Sequence, residues 1–134
     1  MKTTIFISTF ILLGLTHNMP NPAARYCIYM GYSYENRKDA AGNEYGVCIF
    51  PDGSECGDWQ FFRGECGQEF SYCELMGCDL IIKPLTDDSQ TYDYPFCSCT
   101  DSSGVIHDIP FTEYMEQNGV TLWYDLEARF DRKK

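Results

Sequence analysis

Apolar and polar positions follow one another in the same order twice along this chain. The first stretch opens at Asn21-Pro22, a capping residue followed by proline at the first helical position, and runs as a short helix to Met30, where Gly31 stops it. Residues 32–37 and 45–50 then read as two strands around Ala40-Ala41-Gly42-Asn43, a hairpin turn. Pro51-Asp52-Gly53 breaks the second strand. Ser54 is placed to cap another short helix, which carries Trp59 and Phe62 on one face. The second stretch repeats the order, with a helix from near Gln68 to Gly77, strands over residues 81–85 and 94–100, and a helix over residues 111–117. The pattern predicts a small disulfide-rich α+β fold of two tandem helix–hairpin–helix repeats.

Residue identities support the duplication. Tyr26, Cys27, Met30 and Gly31 recur at one constant offset as Tyr72, Cys73, Met76 and Gly77. Cys48, Asp52, Ser54 and Phe62 recur as Cys97, Asp101, Ser103 and Phe111 at an offset three residues longer, which assigns the extra residues to the polar stretch 86–92. The expected organisation is residues 1–18 as a signal peptide, 21–66 as repeat one, 67–116 as a diverged repeat two, and 117–134 as a C-terminal tail.

Eight cysteines can pair in 105 ways. A true pair should appear or vanish together between repeats, and that condition narrows the choice. Cys27 and Cys48 have counterparts in Cys73 and Cys97. Cys56 and Cys66 align with Val105 and Met115, so both are missing from repeat two, while Cys78 and Cys99 align with Tyr32 and Phe50 of repeat one. The simplest assignment is Cys27–Cys48, Cys56–Cys66, Cys73–Cys97 and Cys78–Cys99. Units of under 50 residues bury too little apolar surface to fold securely without such staples. A zinc site built from Cys73, Cys78, Cys97 and Cys99 is the competing reading, but no CxxC pair occurs and the spacings match no zinc pattern.

Charge and the N-terminus set the compartment. Residues 5–15 form an apolar run after Met1 and Lys2, too short to span a bilayer comfortably and suited to the h-region of a secretory signal. The expected location is therefore secreted, extracellular or periplasmic, where thiols oxidise. The net charge is −10, and Arg129, Arg132, Lys133 and Lys134 gather in the last residues. An acidic body of this kind repels nucleic acid and anionic lipid, so neither is an expected partner.

Repeat one carries three linked motifs. They are Asn21-Pro22-Ala23 with Tyr26-Cys27, then Cys48-Ile49-Phe50-Pro51-Asp52-Gly53-Ser54-Glu55-Cys56, then Trp59 with Phe61-Phe62-Arg63-Gly64-Glu65-Cys66. Together they resemble a short secreted cysteine-rich domain of unknown function that carries a hemolysin label. The resemblance covers residues 21–66 and implies a fold and a cell-envelope location, with no activity or catalytic residues attached. Many members look like lipoproteins, whereas no cysteine follows the apolar run of this chain closely. Lysis itself needs a long amphipathic segment or a membrane barrel, and the sequence offers neither.

Catalytic constellations are scarce. His107, with His17 if the signal segment is cleaved just before it, is the histidine available for a nucleophilic site, and His107 reads as a surface residue. Asp87, Asp88 and Asp93 lack alternating calcium-loop spacing, and carboxylate pairs among 20 acids carry no specificity. Aromatic residues make up 16% of the chain, and Trp59, Phe61 and Phe62 cannot all face inward from one short helix. They are the candidates for partner contact. The sequence thus points to a non-enzymatic interaction module with an unidentified protein partner and no cofactor. A protease-inhibitory loop at residues 49–55 is one version. A small carboxylate-dependent extracellular hydrolase, or membrane action as the family label suggests, is the alternative.

Overall fold

The computed structural model describes residues 21–120 and Leu122. The expected signal segment, 1–18, and most of the expected tail, 117–134, lie outside the described residues. The chain is α+β, with two three-stranded antiparallel sheets and short helices. Helix α1 (Pro22–Tyr29) starts where Asn21 accepts the Ala23 and Ala24 N–H groups at 3.0 and 3.3 Å, and Pro22 fills the turn in which no N–H is needed. Strands β1 (Ser33–Lys38), β2 (Glu44–Ile49) and β3 (Glu55–Gly57) form the first sheet in that order, and α2 (Asp58–Phe62) follows. A 3₁₀ turn at Gln68–Phe70 leads to α3 (Tyr72–Leu75). The second sheet is β4 (Asp79–Asp87), β5 (Gln90–Thr100) and β6 (Ile106–Pro110), and α4 (Phe111–Gln117) closes the order.

Strand outweighs helix, and helix–hairpin–helix repeats do not describe this fold. Each expected hairpin gains a third strand. Ser54 caps no helix: the Phe50 N–H donates to its carbonyl at 2.9 Å and Gly53 adopts φ +85°, a conformation open to glycine. That tight turn sends residues 55–57 back along β2, with Cys56 opposite Cys48. The same device in the second half pairs the Asp101 N–H with Val105 and puts Gly104 at φ +83°. The stretch 86–92, expected as an inserted loop, instead lengthens a ladder. Thr86 lies opposite Thr91 and Asp87 opposite Gln90, with the two threonine hydroxyls 3.0 Å apart.

Four disulfides join Cys27 to Cys48, Cys56 to Cys66, Cys73 to Cys97 and Cys78 to Cys99, and no cysteine is free. The first and third of these tie the first α-helix of each half to the middle strand of its sheet. Cys78 and Cys99 occupy the positions held in the first half by Tyr32 and Phe50, whose rings meet edge-to-face at 5.2 Å. A covalent link and an aromatic contact thus serve the same joint.

One core serves both halves. Tyr26 stacks on Phe61 at 4.8 Å and meets Phe111 at 5.3 Å, and Phe50 stacks on Phe70 at 4.5 Å. Hydrogen bonds also cross the seam, two of them at tyrosine hydroxyls. The Tyr72 N–H donates to the Tyr26 hydroxyl oxygen at 2.8 Å, and the Tyr32 hydroxyl donates to the Phe70 carbonyl at 2.7 Å. Burial pushes the Tyr26 hydroxyl far above the usual tyrosine range. A raised pKa gives stability that is complete below the unfolded value near 10 and is lost as pH rises past it. A near-ultraviolet titration should therefore show at least one of the ten tyrosines ionising only as the fold opens. Smooth ionisation of all of them on the intact protein would contradict the burial of Tyr26. No described helix is long and apolar enough to cross a membrane.

Candidate functional site

Of the three aromatic candidates, only Trp59 reaches the surface. Phe61 and Phe62 are 1% and 7% exposed and belong to the core, packed on Tyr26, Phe50 and Phe111. Helix α2 is short and wedged against α1, so its consecutive aromatics fall inward. Trp59 is 41% exposed, and Phe62 holds its indole edge-to-face at 5.7 Å. It stands at one side of a groove of about 830 Å³ over the first sheet, with half-exposed Tyr45 also lining it.

Asp58 anchors the groove. It opens α2 and is 4% exposed, and a carboxylate buried to that degree costs several kcal/mol unless donors meet it. Three do. The Trp59 N–H reaches Oδ1 at 2.7 Å, while Asn21 Nδ2 and the Tyr34 hydroxyl reach Oδ2 at 3.0 and 3.2 Å. Asn21 therefore caps α1 with its oxygen and holds Asp58 with its nitrogen. Burial, and after it the Asp58 charge, pushes the Tyr34 hydroxyl above its ordinary range, so it stays a proton donor. Gly46 makes the arrangement possible. A Cβ there would overlap the Tyr34 hydroxyl and Asp58 Oδ2, so only a bare strand position lets both lie across β2.

The rim is charged but paired. Arg37 grips Glu55 with two hydrogen bonds of 2.8 Å and reaches Glu35 at 3.1 Å, which holds the Glu55 carboxyl below its ordinary range. Arg63 pairs with Glu65 at 3.0 Å. Asp58 and Glu55 are therefore both engaged by donors. Glu44, 3.9 Å from Lys38, also lines the groove, with Trp59, Tyr45 and the amides of Asn36 and Gln60.

The second half has no such site. Leu80 faces Cys97 as Tyr34 faces Cys48, Pro95 precedes Cys97 as Gly46 precedes Cys48, and Phe111 opens α4 as Asp58 opens α2. The polar trio becomes apolar, and the turn at Gly64 packs onto Leu80, Ile82 and Pro95. The register also corrects the later alignments: Ile109 faces Cys97 as Cys56 faces Cys48, so Ile109, not Val105, stands at the Cys56 position, and Phe111 stands at the position of Asp58, not of Phe62.

The remaining sequence candidates lie elsewhere. His107 is exposed and sits 2.8 Å from Asp101, whose carboxyl is held low chiefly by that contact while it also accepts the Ser103 and Val105 N–H groups. That pair shapes a turn. Asp87, Asp88 and Asp93 are exposed residues of the β4–β5 hairpin, and no cluster suited to a metal ion occurs among the described residues. The 49–55 loop is a closed turn, with the Asp52 carboxylate accepting the Ser54 N–H at 2.8 Å, whereas a protease cleft takes an extended strand.

Residues 18–65 match the profile of a domain of unknown function, DUF333. Over 72 residues the chain is 36% identical to an uncharacterised protein of Archaeoglobus fulgidus, across 54% of this chain and 34% of that protein. The chain thus spans about a third of the length of the curated relative it matches. No solved structure matches. The matched domain holds every groove residue named above, and neither comparison supports a hemolysin name.

Proposed function

We propose that the protein is a secreted, non-catalytic binding module that meets its partner with the groove over β1–β3. The observation that carries this reading is the contrast between a half-exposed Trp59 and the buried, fully engaged Asp58 beside it. A general acid or base must be free to give or take a proton; Asp58 and Glu55 are committed to neighbours, and Glu44, the third carboxylate of the groove, stands 3.9 Å from Lys38. An exposed indole fixed by Phe62 offers contact area at little entropic cost. Four disulfides suit an oxidising, extracellular setting and keep the rim rigid without a large core.

Isotope-edited NMR on the oxidised full chain tests this. Screening oligosaccharides, peptides and small metabolites should give perturbations centred on Tyr34, Tyr45, Gly46, Trp59 and Gln60, with the ligand recovered chemically unchanged. A hydrolysed ligand would favour the carboxylate hydrolase. Perturbations confined to the second half would remove the groove as the recognition face.

A further inference from the structure

We infer that the groove takes a neutral glycan, a stretch of an uncharged linear polysaccharide laid between Trp59 and Tyr45. This rests on the binding-module reading and names the ligand class of the same site.

Three observations select it. The first is the pairing of exposed aromatic faces with planar polar groups. A pyranose ring presents C–H groups on one face and hydroxyls around its rim. An indole face receives the former, while amides, carboxylates and guanidinium groups receive the latter. Trp59 and Tyr45 are 41% and 46% exposed in the groove, and the Asn36 and Gln60 amides stand with them. The Tyr45 hydroxyl and the Gln60 amide have no hydrogen-bond partner among the described residues, so both are open to a ligand.

The second observation is charge. Both cations of the groove are already paired with acids, Arg37 with Glu55 and Glu35 and Arg63 with Glu65, while Glu44 and Asp58 add further carboxylates, inside a chain of net charge −10. An anionic polymer finds no unpaired cation there and meets a repelling field. An apolar ligand would strand the polar lining without partners. A hydroxyl-rich neutral ligand does neither.

The third is size and rigidity. About 830 Å³ lies toward the upper end for a drug-sized ligand and suits several linked rings better than one. The floor is fixed before binding by the Asp58, Asn21 and Tyr34 hydrogen bonds and by the Cys56–Cys66 disulfide beneath the rim. Little ordering remains to be done when the ligand arrives.

The test is titration of the oxidised full chain with linear hexasaccharides of β-1,4-linked glucose, N-acetylglucosamine and mannose, followed by calorimetry and NMR. A galacturonate hexamer, a branched mannose glycopeptide and an acidic peptide serve as comparisons. At least one neutral linear chain should bind in the groove, with affinity falling about tenfold in Trp59→Ala and measurably in Gln60→Ala. Thermal unfolding of each variant, read beside its binding, separates lost contact from lost fold, and Gln60→Ala, at an exposed position, should leave it unchanged. Preference for the galacturonate hexamer or the branched glycopeptide overturns the inference. If only the peptide perturbs the groove, the glycan assignment fails while the binding-module reading stands. If no probe moves the groove residues, both fail together.

Discussion

Replacing Cys27 and Cys48 together by alanine is expected to remove about 3 kcal/mol of stability, the largest loss from any single staple of the first half. The bond closes a loop of sequence separation 21, against 10 for Cys56–Cys66, and the unfolded chain gains more freedom when the longer loop is released. Both sulfurs also sit in the core, where each cysteine is fully covered. Their removal leaves a void between α1 and β2 on top of the entropic term. In a domain of about 100 residues such a loss corresponds to a drop in Tm of roughly 12–24 °C. Denaturant unfolding of the double variant, with the other three bonds intact, measures it. The Cys56→Ala/Cys66→Ala variant should lose less, because its loop is shorter and Cys66 lies at the edge of the core. A larger loss from that second variant would reverse the ranking and show that strain in the native state, not loop length and burial, governs these bonds.

The pairing itself was legible in the sequence because it is an argument about presence and absence, not about geometry. Repeated Tyr-Cys and Met-Gly positions fix which cysteines have counterparts, and unmatched cysteines are left to one another. The same positions explain why the second half adds a bond where the first has Tyr32 against Phe50: the joint must be closed, and either chemistry closes it. The short helices were legible for a similar reason, since Asn21-Pro22 and the glycines after Met30 and Met76 are local signals.

The third strands were not. Residues 55–57 carry no alternation long enough to read, and their strand character comes from pairing with β2, a tertiary effect. Ser54 before an aromatic pair imitates a helix start, and only the Phe50–Ser54 closure shows that the chain has already turned. The groove was hidden more deeply. Tyr34, Gly46 and Asp58 lie far apart in sequence and each looks ordinary alone, a tyrosine in a polar strand, a strand glycine and an acid at a helix start. Gly46 was the clue that pattern reading passes over, because a glycine inside a strand often marks close approach by a neighbour. Trp59 was found from its crowded company on a short helix, yet which of Trp59, Phe61 and Phe62 faces out depended on where α1 lies.

Phe111→Ala is the substitution expected to cost most, about 3–5 kcal/mol for loss of a fully buried phenylalanine. Its ring touches Tyr26 at 5.3 Å, Phe62 at 5.0 Å and Tyr94 at 5.9 Å, so it belongs to both halves at once. Phe111 also stands where the first half has Asp58, so the residue that anchors a groove in one half plugs the seam in the other. Truncating it removes apolar area and leaves a void among rigid aromatics that cannot collapse around it, since Tyr26 is held by the Tyr72 N–H and Phe62 by the edge of Trp59. Leu75→Ala, at a position 60% exposed, serves as the control and should change stability by no more than about 0.5 kcal/mol. Unfolding followed by backbone and aromatic signals should stay a single coincident transition in both variants, because the halves share one core. Two separate transitions in Phe111→Ala, or a loss below about 1 kcal/mol, would show instead that each half is held by its own disulfides and that the aromatic seam adds little to the fold.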